Sequence, residues 1–138
     1  MLDVGAAREA ARAVRARARF RCEYCHLPAR LSRLPFHIDH VVPHKHGGPT
    51  HSRNLALACA FCNRFKGANL SGINSSTGQI TRLFHPRNDR WPEHFAWSGA
   101  ELVGLTGIGQ ATIEVLRINH ADAVALRSVL IELGEFRG

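Results

Sequence analysis

The sequence has no apolar run approaching the ~20 residues that a membrane span requires. Its start is rich in Ala and Arg, where a secretory signal would carry an apolar core. A membrane partner is therefore not expected, and the expected compartment is the cytoplasm. No cysteine stands alone: the four fall into Cys22-x-x-Cys25 and Cys59-x-x-Cys62. Acids are missing where bases are dense. Residues 31–70 hold five Lys and Arg against Asp39 alone, and residues 1–30 hold seven Arg against three acids. Residues 71–138 carry six bases against seven acids, so the formal charge of +7 belongs to the first half of the chain. A basic surface of this kind suits a polyanion such as nucleic acid, because neutralised phosphates release counterions. Gly107-x-Gly109 has neither a third glycine nor a following lysine, which argues for a helix start there and against a phosphate loop.

What is present begins with the cysteines. In a reducing compartment, paired Cys-x-x-Cys steps hold metal more often than they form disulfides. Each step is a short loop aiming two thiolates at one ion, and four thiolates complete the closed tetrahedron of a structural Zn²⁺ site. Two disulfides or a redox pair are the alternatives. A closed site has no open position for substrate, so the chemistry must lie between the two steps.

There the sequence offers a strand over Phe36 to Val42, a long loop with Gly47, Gly48 and Pro49, a short strand or turn over Asn54 to Ala58, and a helix over Ala60 to Ala68. Asp39 supplies a hard oxygen ligand of the type Mg²⁺ or Mn²⁺ prefers. His40 beside it is suited to general-base work near neutral pH. Neighbours on a strand point to opposite faces, so a shared site requires a bulge or a strand end. Asn63 offers a second oxygen ligand from the helix, and Asn54 can fix either the backbone or the His40 imidazole. His37, on the Asp39 side of the strand, is a candidate extra ligand or phosphate contact. Lys66, Arg64 and Arg53 are candidates to line the site, with Lys66 the leading phosphate contact. His44, His46 and His51 read as loop residues or phosphate contacts before they read as ligands.

Cys22, Cys25, Asp39, His40, Pro43, Gly47, Gly48, Asn54, Leu55, Cys59, Cys62, Asn63 and Lys66 together resemble the HNH family of ββα-metal nucleases, in its version with a Cys₄ zinc site. The resemblance implies that His40 is the general base, that Asp39 and Asn63 hold a catalytic Mg²⁺, Mn²⁺ or other divalent ion, and that Asn54 is the structural middle residue. It implies a DNA endonuclease that hydrolyses phosphodiester bonds. Asn63 stands where the family name expects His. Members with Asn there resemble this chain, so inactivation is not implied. Stretches LFHPR, RWPEHFAW and GLTGIGQAT resemble the tails of similar HNH proteins encoded alone in bacteria. A non-catalytic zinc-knuckle module that binds nucleic acid is the competing reading.

The remaining expectations concern architecture. The fold class is α+β: a ββα-metal core stapled by the Cys₄ site, with an N-terminal helix and a C-terminal hairpin plus helical extension. One domain over residues 1–138 divides into an Arg-rich helix (1–20), the zinc and catalytic core (21–70) and an extension packing on it (71–138). The first helix is expected from about Asp3 to Ala18, with Val4, Ala7, Ala11, Val14 and Ala18 inward and a stripe of Arg8, Arg12, Arg15 and Arg19 on its flank. Further on come a strand over Gln79 to Phe84, a hairpin turning at Ser98-Gly99, a helix from Thr106 to about Arg117, and a helix capped by Asn119 and Asp122 running to about Leu133. The latter is expected to pack through Ala123, Leu126, Val129, Leu130 and Leu133. Arg87, Trp91, His94, Phe95 and Trp97 read as core before they read as a base-stacking surface. One such site makes one cut per encounter, leaving monomer and homodimer both open.

Overall fold

The computed structural model describes residues 4–137. The fold is α+β: among the described residues, five α-helices surround three separate two-stranded antiparallel sheets. The first helix, α1 (Val4–Arg17), matches the expected segment, although Asp3 lies outside the described residues. Val14 is its one buried residue, and it packs on Leu55 and Leu57. Alanine favours the helix but gives little burial, which explains so thin a contact. Arg17, outside the expected stripe, donates from its guanidinium to the carbonyls of Ser52 (2.9 Å) and Leu55 (2.6 Å). The helix is thus tied to the core by one side chain as much as by its apolar face.

The centre is β1 (His37–His40) paired with β2 (Leu55–Ala58), followed by α2 (Ala60–Lys66). All four residues of β2 are buried. Alternation explains why: Leu55 and Leu57 face α1, while Ala58 joins the cysteine cluster on the other side. The small Ala side chains on that face let α2 approach closely. The register is regular, His37 with Ala58 through His40 with Leu55, so there is no bulge and His40 is the last residue of the strand.

The rest of the chain packs against this core. The strand β3 (Ser71–Ile73), absent from the sequence reading, pairs with β4 (Ile80–Arg82). A short helix, α3 (Trp91–His94), leads into the hairpin of β5 (Phe95–Ser98) and β6 (Glu101–Gly104), which turns at Gly99 as expected. The hydroxyl of Thr106 caps α4 (Gly107–Leu116) by accepting from the Gly109 amide. Gly109 is required by close approach: a Cβ there would lie 2.1 Å from the His94 carbonyl oxygen. This gives the Gly-x-Gly pair a packing role in place of a phosphate-binding one. The core joins all four cysteines to Tyr24, Leu83, Phe84, Phe95, Leu102, Leu116, Ile118, Leu130 and Phe136. Phe95 is buried, Trp91 and Trp97 pack half-buried beside it, and Trp91 donates its indole N–H to the Tyr24 carbonyl.

Two expectations for the final helix, α5 (Ala121–Glu132), need correction. Its cap is His120, whose Nδ1 accepts from the Asp122 amide, while Asn119 brackets β6 through the backbone of Leu102 (2.8 and 2.7 Å). Its buried residues are Arg127 and Leu130, whereas Leu126, Val129 and Leu133 are exposed. The buried Arg127 guanidinium reaches the carbonyls of Ala100 and Ile118, so a cation occupies the place an apolar side chain was expected to fill.

Candidate active site and metal centre

The cysteine sulfurs converge. Their four Sγ atoms lie within 4.8 Å of one another, and Cys25 Sγ is 3.8 Å from Cys59 Sγ. A tetrahedron of Zn–S bonds near 2.3 Å has edges of about 3.8 Å. The same gap is nearly twice a disulfide bond, and all four thiols are free. Disulfide pairing is thereby set aside. Backbone amides one turn on point back at the sulfurs, Cys25 to Cys22 (3.5 Å) and Cys62 to Cys59 (3.4 Å), and Cys59 is the N-cap of α2. Hydrogen bonding among the buried sulfurs holds the Cys59 thiol far below its ordinary range and pushes Cys25 and Cys62 well above it. Such a set accepts a tetrahedral cation of the zinc type.

Asp39 lies on the α2 side of β1 and is only 6% exposed. Its Oδ2 accepts from the Tyr24 hydroxyl (2.7 Å). The Lys66 ammonium, 1% exposed, donates to Oδ1 at 3.2 Å, lies 3.1 Å from Oδ2, and also donates to the His40 carbonyl (3.1 Å). Burial pushes the Asp39 carboxyl above its ordinary range, and Lys66 followed by Tyr24 pulls against that shift. The expectation of Lys66 as a surface phosphate contact does not match this placement. The helix turns its stem inward, and the charge is spent on Asp39. Breaking a buried pair leaves one charge without a partner. Lys66→Met is therefore expected to lower stability by about 3–5 kcal/mol, read from urea unfolding; a change within 0.5 kcal/mol would contradict the pairing.

His40, half-buried at the strand end, occupies the other face. Its Nε2 is 2.9 Å from the Thr50 hydroxyl, while Nδ1 has no hydrogen-bond partner among the described residues. The His44 ring stands edge-on beside it, with centroids 6.3 Å apart. Asn54 fixes backbone, and none of its hydrogen bonds among the described residues reaches the imidazole. Its Oδ1 accepts from the Val42 amide (2.8 Å), and its Nδ2 donates to the carbonyls of Val42 (3.0 Å) and Pro49 (2.9 Å). That clamp closes the loop between the strands. Gly48 is needed inside it, because a Cβ would lie 1.7 Å from the Val42 carbonyl oxygen.

Other expected site residues fall in different places. Asn63 is half-buried, and its side-chain amide forms no hydrogen bond among the described residues. It precedes Lys66 by three positions, which on a helix puts both on one face, the face that meets Asp39. His37 is exposed at the start of β1. Arg53 is exposed in the turn before β2, and Arg64 is exposed on α2 with its guanidinium 5.8 Å from the Phe65 ring. His46 meets the Ala68 carbonyl and His51 accepts from the Arg53 amide, so both serve the loop.

Tyr24 and Thr50 were not singled out from the sequence. Tyr24 is the chain's only tyrosine and sits between two metal-spaced cysteines, a signal that was available. Nothing in the local pattern marks Thr50.

Among the described residues, the cysteine set is the only group of three or more His, Cys, Asp or Glu side chains with ligand atoms close enough to share an ion. Any ion at Asp39 therefore draws on oxygen donors such as Asn63, phosphate and water, a set that fits Mg²⁺ or Mn²⁺. The ammonium held at both Asp39 oxygens shows that the site accommodates positive charge. No helix among the described residues is long and apolar enough to cross a membrane.

Residues 22–69 match the family model described as HNH endonuclease. No curated protein and no solved structure matches the chain significantly.

Proposed function

We propose, from the match of residues 22–69 to the HNH endonuclease family model, that the protein is a metal-dependent endonuclease that hydrolyses DNA phosphodiester bonds at His40. The observation that carries the reading is the His40 imidazole: half-buried, held at Nε2 by Thr50, and without a partner at Nδ1 among the described residues. A base must be oriented and must have one nitrogen free for water, and this ring meets both requirements.

In this reading Nε2–H donates to the Thr50 hydroxyl, which fixes the tautomer and leaves the Nδ1 lone pair as acceptor. Nδ1 takes a proton from water as its oxygen attacks phosphorus and the P–O bond to the departing sugar oxygen breaks; that oxygen takes its proton from solvent water, and the imidazolium returns its own proton to solvent. The Asn54 clamp holds the loop that carries Thr50, so it acts on the base through the backbone. Asp39 and Asn63 are the residues that hold the divalent ion, with Lys66 sharing the carboxylate. A divalent ion bound there supplies charge neutralisation on the phosphate and the leaving oxygen. Lys66 and Tyr24 keep Asp39 oriented on its buried face. In this reading the exposed Arg53 and Arg64 meet phosphates outside the reacting one.

The buried cysteine set, occupied by zinc, does no chemistry in this scheme. It sets α2 against β2, and so sets Asn63 and Lys66 against Asp39. Supercoiled plasmid DNA incubated with the protein and Mg²⁺, Mn²⁺ or Ni²⁺ tests the proposal. The expected product is nicked circles in at least one metal and none without added metal. Binding with no cleavage in any metal would favour the zinc-knuckle binder instead.

A further inference from the structure

A second concavity lies away from Asp39, between the end of α1, the turn into the first cysteine step and the segment leading to α3. It is a cleft of about 550 Å³, lined by Arg17, Arg19, Arg21, His26 and Trp91 together with the acids Glu23 and Asp89. Neither acid balances those arginines. Glu23 is paired with Arg87 and accepts from the Leu57 amide, while Asp89 is held by both terminal nitrogens of Arg82 (2.7 and 2.9 Å). Arg17 spends its hydrogen bonds on two neutral carbonyls, and Arg19 and Arg21 are exposed with no counter-charge among the described residues. Burial, with Arg17 adding to it, lowers the pKa of the neighbouring Arg87 to about 10.

The cleft also offers an aromatic surface. His26 stacks on Trp91 with ring centroids 4.0 Å apart and planes at 28°, and the indole is anchored to the Tyr24 carbonyl. The backbone is shaped around it at some cost: Arg19, Phe20 and His26 have φ of 55°, 56° and 65°. Bulky residues persist in that region only where surrounding structure holds them, and such places concentrate at functional sites. The position is equally suggestive. Arg17 grips the Leu55 carbonyl, and Leu55 pairs with His40, so the cleft begins one strand away from the proposed base.

We propose that this cleft binds an unpaired stretch of the DNA strand flanking the cut, its phosphates at Arg19 and Arg21 and a base stacked against the His26–Trp91 pair. The choice of DNA as ligand rests on the nuclease reading. The preference for an unpaired strand rests on the aromatic pair, which a duplex cannot reach without unstacking.

The test is fluorescence anisotropy with the zinc-loaded protein and no other divalent ion, using a labelled blunt duplex and the same duplex with a short single-stranded overhang. The overhang should bind about tenfold more tightly. His26→Asn removes the ring while tolerating the left-handed backbone, and it should abolish that preference without changing blunt-duplex affinity. The Arg19→Ala/Arg21→Ala pair, both exposed, should weaken overhang binding and reduce the slope of log affinity against log salt by about one per arginine. His40→Ala should bind both probes as the unaltered protein does, so a failure of the nuclease reading shows in cleavage alone. Equal affinity for the two probes, or an arginine double variant with unchanged affinity and salt slope, would overturn the proposal.

Discussion

Cys59→Ser is expected to unfold the protein, and removal of zinc with a strong chelator is expected to do the same. Cys59 is 3% exposed, belongs to the four-sulfur cluster and caps the helix that carries Asn63 and Lys66. The magnitudes decide the outcome. A structural zinc site contributes roughly 10–16 kcal/mol of apparent binding energy near neutral pH. Domains of this size have net stabilities of about 5–15 kcal/mol. The core that would remain is itself built around the cysteines, since Tyr24, Phe84 and Phe95 belong to the same cluster. Serine cannot replace the thiolate, and it leaves three buried thiols facing one another. Metal analysis should find one zinc per chain. Circular dichroism should show loss of structure in the variant and after chelation. A metal-free chain with an unchanged melting curve would contradict the staple.

The second large effect concerns rate and leaves the fold intact. His40→Ala is expected to slow DNA cleavage by about 10²–10⁴-fold, the usual contribution of a positioned general base. The ring is half-buried at a strand end, and its side chain is hydrogen-bonded to Thr50. Its removal should change the unfolding midpoint little. DNA affinity should stay the same, because the ring carries no obligatory charge. Thr50→Val, which keeps the shape but not the hydroxyl, should give a smaller loss through a mispositioned imidazole. Equal cleavage by the His40→Ala variant would remove His40 from the mechanism whatever else the site does.

Much of this arrangement was legible in the chain because its determinants are local. Cys-x-x-Cys spacing dictates a knuckle, and the loose alternation of Phe36, Ile38 and Val41 before Pro43 marks a strand, which the structure ends at His40, two residues short of the expected Val42. Asn63 and Lys66 share a helix face by their three-residue spacing alone. What the sequence could not disclose depends on contacts across long separations. The Lys66–Asp39 pair joins residues 27 apart and the Tyr24–Asp39 bond residues 15 apart. Basic composition made Lys66 look like a phosphate contact, since only the packing of α2 reveals that its ammonium is buried. In α5, apolar residues run round the whole helix as Ala123, Val124, Ala125, Leu126, Val129, Leu130 and Ile131, so periodicity had no stripe to select. The buried Arg127 was unreadable for the same reason: its partners are the carbonyls of Ala100 and Ile118, set by the hairpin and the turn before the helix.

The most direct test of the central claim, that His40 supplies the base, is chemical rescue. Nicking of supercoiled DNA by His40→Gly is measured under single-turnover conditions at increasing imidazole, with the divalent ion that supports the unaltered protein. The rate is predicted to start at least a hundredfold low and to rise with the concentration of free imidazole base, with no such rise for Asp39→Ala. A His40→Gly protein that nicks at the full rate without imidazole would contradict the account.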